Sequence, residues 1–288
     1  EQTFPKNGWV EQDPELIWAS SIQACRTAID SFAGGIEDIL AVGIANQRET
    51  VVLWDAETGE TYYNAILWQD RRTAERCSEI DAEGMSTQLR EVTGLVIDPY
   101  FSSTKIEWLL NLDPIRLAAK RGVLRFGTVD SFLIWRLTGG KTHATDATNA
   151  SRTQLYDIAR HEWSEPLLEY FNIPRSILPE VKDSIDHYGN LDKKWLGKSI
   201  PILGVAGDQH AALIGQACLQ SGMAKITYGT GCFAVVNTGE QRIVSTADLL
   251  TTPAYRVDGQ TTFALEGSIF TAGSSIKWLR DSLGLIAS

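Results

Sequence analysis

The sequence lacks the clusters that build disulfide frameworks and metal centres. Its four cysteines are scattered at positions 25, 77, 218 and 232, with no C-x-x-C pair, and its four histidines do not cluster near them. Disulfide-rich folds and zinc sites both need such clusters. We therefore expect a reduced intracellular chain and predict no residue as a metal ligand.

Long apolar runs and excess positive charge are also missing. No run approaches the ~20 residues that span a bilayer, and the N-terminus shows no secretory signal pattern. Acidic residues outnumber basic ones by 36 to 26, which gives a formal charge of -10. Such a chain does not offer the basic surface that nucleic acids or anionic membranes attract. We expect a cytoplasmic protein without a membrane span or a nucleic-acid partner.

Strand and helix patterns alternate along the 288 residues. Asp13-Pro14-Glu15 predicts the start of a helix. The apolar runs 39–45 and 51–55 predict short strands, and the turn signal Thr58-Gly59 indicates a hairpin. The range 103–137 has a mostly helical pattern with a break at Arg121-Gly122. This alternation predicts the α/β class, and the hairpin signals predict a mixed sheet.

The second half of the chain contains further loop and turn signals. Residues 135–153 are rich in Thr, Gly and Asn and predict a polar loop. The sequence "AKITYGTGCFAVVNTGE", from Ala224 to Glu240, predicts two strands around a glycine turn. A soft boundary between two units lies near Cys218 to Gly222.

Three clusters of polar residues follow directly after apolar runs. The sequences are "IANQRET", "ILWQDRR" and "GVAGDQH", and they supply Arg48, Glu49, Trp68, Asp70, Arg72, Asp208 and Gln209. Ligands of α/β sheets bind beyond the carboxyl ends of the strands. These three strand ends could therefore converge on one site.

Each cluster also has an interpretation without a ligand. Arg48-Glu49 is typical of a solvated turn, and a lone tryptophan such as Trp68 usually packs in a core. Asp208 could equally be the N-cap of a helix. The "YGTGC" segment, 228–232, fits a common hairpin turn, and "NASRT", 149–153, fits a capped loop better than a ligand contact. On pattern alone these alternatives stay open.

The order of longer motifs points to a family. The motifs are "GWVEQDPELIW", "IANQRETVVLWD", "NAILWQDRRTAE", "TGLVIDPYFSSTKIEWLL", "GTVDSFLIWRLTGG", "TDATNASRT", "AGDQHAALIGQ", "YGTGCF" and "ALEGSIFTAGSSIKWLRD". In this order, and over essentially the whole chain, they resemble the glycerol-phosphorylating members of the FGGY carbohydrate kinases.

The resemblance implies a fold and a reaction. The fold would be the ribonuclease H-like, actin-type ATPase fold, with two domains flanking a cleft. Residues 1–218 would form the N-terminal domain without its first strands, and 222–288 would begin the C-terminal domain. The reaction would be ATP-dependent phosphorylation of glycerol to sn-glycerol 3-phosphate, with Mg²⁺ bridging the ATP oxygens. The full-length protein would be a homodimer or homotetramer.

The resemblance also implies roles for individual residues. Asp208 matches the catalytic base that takes the proton of the attacking hydroxyl. The groups that hold the glycerol hydroxyls would be Arg48, Glu49, Tyr100, Asp208 and Gln209. Trp68 and Phe233 match the apolar walls of the glycerol site. Thr230, Gly273 and Lys277 match nucleotide contacts, and the family often has Gln at the position of Lys277.

Two alternatives remain beside glycerol phosphorylation: a kinase for another polyol or ketose of the same family, and a catalytically inactive binding module. The resemblance places a phosphate-gripping element before residue 1 and most of the second domain after residue 288. We therefore expect the 288-residue chain alone to transfer phosphate poorly or not at all.

Overall fold

The computed structural model describes residues 1–247 and 249–287. Asp248 and Ser288 belong to the predicted unit 222–288 and lie outside the described residues. The helices are α1 (Pro14–Ser31), α2 (Ala74–Ala82), α3 (Ser86–Thr93), α4 (Ser103–Leu110), α5 (Asp113–Arg121), α6 (Val129–Leu137), α7 (Ala147–Ala150), α8 (Glu165–Tyr170), α9 (Lys193–Leu196), α10 (Asp208–Gly215) and α11 (Gly273–Asp281). Single 3-10 turns lie at Ile36–Asp38, Ser151–Thr153 and Arg175–Ile177.

The strands are short in the first part of the chain and longer in the last part. They are β1 (Gln2–Thr3), β2 (Glu11–Gln12), β3 (Val42–Asn46), β4 (Val52–Asp55), β5 (Ala65–Ile66), β6 (Leu124–Gly127), β7 (Ala144–Asp146), β8 (Tyr156–Asp157), β9 (Glu162–Trp163), β10 (Glu180–Lys182), β11 (Ile202–Gly207), β12 (Ala224–Tyr228), β13 (Cys232–Gly239), β14 (Leu250–Val257) and β15 (Gln260–Ile269).

Both parallel and antiparallel strand pairs occur, as the sequence predicts. β3 runs parallel to β11, and β7 runs parallel to β10. β4 pairs antiparallel with β6. The turn at Thr58-Gly59 does close a hairpin, in which Asp55 N donates to Glu60 O at 2.9 Å. The two predicted strands 39–45 and 51–55 do not pair with each other, because each finds a partner far along the chain.

One local prediction is confirmed and one is wrong. The range 103–137 is mostly helical, in α4, α5 and α6, and the predicted break at Arg121-Gly122 falls where α5 ends and the largely buried strand β6 follows. The range 135–153 is not a polar loop. It contains β7 and α7, and Arg152 at its end is fully buried. Asp146 caps α7 by accepting hydrogen bonds from Thr148 N and Asn149 N, each at 3.0 Å.

The last part of the chain forms a four-stranded antiparallel sheet in the order β12-β13-β15-β14. The predicted glycine turn joins β12 to β13, with Tyr228 opposite Cys232. One row across this sheet places Lys225 opposite Val235 and Val235 opposite Glu266. Directly paired residues of antiparallel strands point to the same face. Lys225 and Glu266 therefore share the face that packs toward α10.

Three groups of buried apolar side chains stabilise these elements. The largest surrounds β4, β6, α4 and α8, and the second packs α1 and α6 against β11. A small third group lies between α10 and the four-stranded sheet and includes Leu213, Val235 and Ala264. Within the described residues, no helix has the length and apolar character needed to cross a bilayer.

Candidate active site

Parallel pairing of β3 and β11 brings two of the predicted clusters together. Gly207 at the end of β11 stands in register with Asn46 at the end of β3. Chain direction is the same in both strands, so Arg48 and Asp208 emerge from one edge of the sheet. Arg48 Nε lies 3.5 Å from Asp208 Oδ1.

Glu49 occupies a tight turn directly after β3. Its φ angle is 61°, in the left-handed region, and Thr50 N donates to Arg48 O at 2.7 Å across it. A turn with an i to i+2 hydrogen bond and positive φ is rare and strained. Ser102 Oγ supports it by donating to Glu49 O at 3.0 Å. The Glu49 side chain is buried.

Four buried ionic side chains form an alternating network at this edge. Arg48 donates from Nη1 to Glu266 Oε2 at 2.6 Å and from Nη2 to Glu266 Oε1 at 2.9 Å. Arg152 donates from Nε to Glu49 Oε1 at 2.6 Å and from Nη2 to Glu266 Oε1 at 3.1 Å. All four are buried. Buried charges persist only when each one has partners, and here each carboxylate contacts a guanidinium.

Burial and pairing have different outcomes for the two carboxyl groups. Burial raises the pKa of Glu49, and Arg48 and Arg152 offset only part of that rise. Burial also tends to raise the pKa of Glu266. The Arg152 and Arg48 guanidiniums outweigh this effect and hold that pKa well below its usual range. Burial opposes charge on Arg48 as well, yet Glu266 raises its pKa well above the ordinary value. Glu266 is thus the fixed anion of the network.

Asp208 differs from the network because its side chain is 48% exposed. Gln209 donates to it twice, from its backbone N to Oδ1 at 2.8 Å and from Nε2 to Oδ2 at 3.3 Å. Asp208 is the first residue of α10, and Gly207 before it is the N-cap, so the interpretation of Asp208 as an N-cap is wrong. Its carboxylate accepts from the amide of Gln209 and is presented to the cleft.

Aromatic rings close one side of the cleft. Trp68 meets Tyr100 edge to face at 5.8 Å and Phe233 at 6.2 Å between ring centroids. Tyr100 is also tied to the network, since Arg48 Nη2 donates to its hydroxyl at 3.3 Å. Burial raises the pKa of Tyr100 far above its usual value, so the hydroxyl keeps its proton.

The predicted polar and aromatic groups surround one small cavity of about 50 Å³. It is lined by Gln47, Arg48, Glu49, Trp68, Tyr100, Asp208, Gln209 and Phe233. A water molecule needs ~10–15 Å³ of such space, so the cavity admits a ligand of only a few heavy atoms. Its walls combine charged donors and acceptors with aromatic faces, which suits a small molecule rich in hydroxyls.

The predicted nucleotide contacts lie on a neighbouring loop and helix start. Gly273 N donates to Gly229 O at 3.0 Å, and Ala272 N donates to Thr230 O at 2.8 Å. Thr230 lines a second cavity of about 430 Å³, which shares Trp68 and Tyr100 with the small one. Lys277 lies one turn further along α11 and is exposed. The roles of Thr230, Gly273 and Lys277 toward a nucleotide stay predictions.

Two residues of the second predicted cluster do not reach the cavity. Asp70 and Arg72 pair with each other at 2.9 Å, and Arg72 Nη2 also donates to Glu11 Oε1 at 2.7 Å. They hold β2 beside β5. Of this cluster, only Trp68 lines the small cavity. The described residues contain no group of histidine, cysteine, aspartate and glutamate side chains that could hold a metal ion.

Sequence reasoning missed Arg152, Lys225 and Glu266. Lys225 Nζ donates to Gln209 Oε1, and to Thr227 Oγ1 at 3.0 Å. Glu266 is the one charged residue in the strand sequence "FALEGSI". A single charge within an apolar strand is the signal that could have marked it as a functional residue. Arg152 gave no signal, because the Thr- and Asn-rich sequence around it is typical of exposed loops.

The match to family models agrees with this architecture. The model of the FGGY family of carbohydrate kinases, N-terminal domain, matches residues 1–215, and that of the C-terminal domain matches residues 224–288. The chain belongs to the FGGY family of carbohydrate kinases. Its fold is the ribonuclease H-like, actin-type ATPase fold of these kinases.

Curated relatives of high similarity are glycerol kinases. The chain is 57% identical to a glycerol kinase of Rhodopseudomonas palustris over 99% of its own length and 57% of that protein. It is 56% identical to glycerol kinase 1 of Pseudomonas aeruginosa, covering 99% of the chain and 58% of the relative. The chain therefore spans just over half the length of these relatives.

Solved structures of kinases also superpose on the chain. Plasmodium falciparum glycerol kinase, determined with ADP, superposes with a TM-score of 0.91 at 39% identity, covering 100% of this chain and 58% of that one. A xylulose kinase of Lactobacillus acidophilus superposes with a TM-score of 0.86 at 22% identity, over 98% of this chain and 56% of the other. The second likeness shows the shared fold alone.

Proposed function

We propose that this protein phosphorylates a terminal hydroxyl of glycerol with ATP and releases sn-glycerol 3-phosphate and ADP. The observation that carries the proposal is the small cavity that joins Arg48, Glu49, Asp208 and Gln209 to aromatic walls. Its size suits a three-carbon polyol better than a ketose. The similarity to glycerol kinases supports the same substrate.

Asp208 serves as the general base. Its exposed carboxylate accepts the proton of the attacking hydroxyl, while the hydroxyl oxygen forms a bond to the γ-phosphorus of ATP and the bond to the ADP oxygen breaks. Gln209 donates to Asp208, and Arg48 lies 3.5 Å from it. Both side chains also line the cavity and donate to the substrate, so they align base and substrate. Phosphoryl transfer depends mainly on positioning and charge stabilisation, which a fixed network of this kind supplies.

The remaining polyol contacts follow from hydrogen-bond chemistry. The Glu49 carboxyl and the Tyr100 hydroxyl face the cavity beside Arg48 and complete a mixed set of donors and acceptors. Trp68 and Phe233 cover the carbon backbone. A missing hydroxyl on the substrate would leave a buried polar group unpaired, which is how such a site rejects smaller or deoxygenated analogues.

ATP is the proposed second substrate, with Thr230, Gly273 and Lys277 on its side of the cleft. Mg²⁺ is proposed as the partner of the ATP phosphates. The described residues offer no carboxylate cluster for it, so its oxygen ligands would come mainly from ATP and water, as Mg²⁺ commonly prefers. No step of the transfer is assigned to the metal.

The test is glycerol-dependent ADP release, measured both on the 288-residue chain and on the longest reading frame that contains it. Asp208→Asn should lower kcat by roughly two to four orders of magnitude and change glycerol affinity much less. Near-normal turnover of that variant would remove Asp208 from the role of base. A panel of glycerol, erythritol, xylulose and ribulose separates the glycerol assignment from another polyol or ketose.

Three broader expectations remain part of the proposal. A domain boundary near 218–222, a homodimer or homotetramer, and location in the cytoplasm all fit a metabolic sugar kinase. Limited proteolysis, light scattering and cell fractionation address them in turn. Nucleotide binding without any turnover would instead favour an inactive binding module.

A further inference from the structure

Lys225 is a buried cation next to the small cavity, and the proposed mechanism gives it no role. It lies on β12, in the row that also carries Val235 and Glu266. Its ammonium donates to Gln209 Oε1, and to Thr227 Oγ1 at 3.0 Å. Burial lowers the pKa of Lys225, against the attraction of Glu266 and Asp208. Burial of a cation costs free energy unless the cation is paired and hydrogen-bonded.

The contact with Lys225 determines which way the Gln209 amide faces. An ammonium can only donate hydrogen bonds, so the amide atom that meets it must be the oxygen. The amide nitrogen then faces the other way, and it donates to Asp208 Oδ2 at 3.3 Å. The opposite orientation would point an amide oxygen at the Asp208 carboxylate and leave two acceptors in contact.

We propose that Lys225 is a positioning residue that fixes the Gln209 amide with its NH₂ group toward Asp208 and the polyol. Gln209 then acts only as a donor in the cavity. The polyol oxygen opposite it must accept, while the hydroxyl at Asp208 donates. Lys225 thus selects the direction of the hydrogen bonds that orient the attacking hydroxyl. The inference rests on the proposed function, because it concerns the same cavity.

A double-mutant cycle on kcat/KM for glycerol tests the inference. Lys225→Met should lower kcat/KM roughly 10- to 100-fold, because a charge-assisted hydrogen bond is lost. Gln209→Met should cost at least as much. If Lys225 acts through Gln209, the double variant should match Gln209→Met within about 3-fold. Losses that multiply instead would show that Lys225 acts independently and would overturn the inference.

Two further variants read out the direction of the amide. Lys225→Arg keeps a donor for Gln209 Oε1 and should recover most of the lost kcat/KM. Gln209→Glu keeps an acceptor for Lys225 but places an oxygen against Asp208, and it should lose at least as much as Gln209→Met. Activity near the wild type in Gln209→Glu would overturn the assigned donor role. Both variants keep the buried cation paired, so they also cover the case in which Lys225→Met fails to fold.

Lys182→Met is the matched control. Lys182 also faces two carboxylates, Glu180 and Asp186, each at 3.7 Å, but it lies away from the cavity. Its loss should leave kcat/KM within about 2-fold. All variants are made in the longest reading frame that contains the chain, and failure of that wild-type protein to bind or phosphorylate glycerol would overturn the proposed function and this inference with it. A wild type that works together with an additive cycle would overturn the inference alone.

Discussion

Arg48 crosses Gly207 so closely that a Cβ atom at position 207 would lie 2.6 Å from Arg48 Cδ and 2.7 Å from Cγ. The backbone of Gly207, with φ -59° and ψ 148°, is one that any residue adopts. The glycine is therefore required by the passage of the guanidinium stem and not by backbone conformation. This close approach allows Arg48 to reach Asp208 and Glu266 at once.

Gly207→Ala should displace Arg48 and weaken the site. Overpacking of this kind costs about 1–3 kcal/mol of folding free energy, and we expect glycerol affinity to fall at least ~10-fold. Calorimetric titration and thermal unfolding measure the two effects. Gly215→Ala is the control, since that glycine ends the helix that Gly207 precedes, and no neighbouring atom lies within 4 Å of the place a Cβ would take. Equal affinity in both variants would contradict the steric argument.

Arg152→Met should destabilise the fold strongly. It removes the 2.6 Å partner of Glu49 and one of the two guanidiniums on Glu266. Breaking a buried ionic network typically costs about 3–5 kcal/mol, measured as the free energy of unfolding in urea. Arg160 is 77% exposed, and Arg160→Met should change that free energy by less than about 0.5 kcal/mol. A small loss in Arg152→Met would mean that the network contributes specificity and little stability.

Lys105 should give a pH-dependent contribution to stability. It is fully buried, its Nζ donates to Tyr100 O at 2.8 Å, and burial lowers its pKa from 10.5 to about 8, although Glu49, Asp70 and Asp98 oppose the shift. Between these two values the unfolded chain binds the extra proton, so the free energy of unfolding rises with pH. The destabilising contribution is complete below pH 8 and disappears toward pH 10.5.

Comparison with Lys105→Met isolates this contribution. The difference in unfolding free energy, wild type minus variant, should rise on the order of 3 kcal/mol from about pH 8 to about pH 10.5. Lys120→Met removes an exposed ammonium from α5 and controls for the loss of one charge. A difference that stays flat or falls over this range would show that burial does not lower the pKa of Lys105.

Gly273→Ala should separate nucleotide binding from glycerol binding. A Cβ at this position would lie 2.5 Å from Gly229 O, which is backbone and cannot easily move. The shift of the loop under Thr230 should weaken ADP binding at least ~10-fold, while glycerol affinity stays within about 2-fold.

Arg280→Met is the control for this prediction. Arg280 lies on the same helix, is exposed and pairs with its neighbour Asp281. Its loss should change ADP affinity by less than about 3-fold, because an exposed ion pair contributes little. If Gly273→Ala weakened both ligands equally, Gly273 would belong to the scaffold of the whole cleft.

The class of fold and the polar strand ends could be predicted from the sequence, because apolar runs and the residues after them are local signals. The pairing of β3 with β11 could not, since nothing near residue 42 indicates a partner near residue 202. Arg152 after α7 made a buried segment resemble an exposed loop. Its charge is accommodated by Glu49 and Glu266, which only the folded chain brings to it.

The Arg48–Glu266 pair joins residues 218 positions apart. Closing a loop of that length before any contact compensates for it is slow, so such long-range pairs generally form late. The small cavity cannot form until these two distant segments meet, since Arg48 lines it. We therefore expect ligand binding to appear only after both ends of the chain have folded against each other.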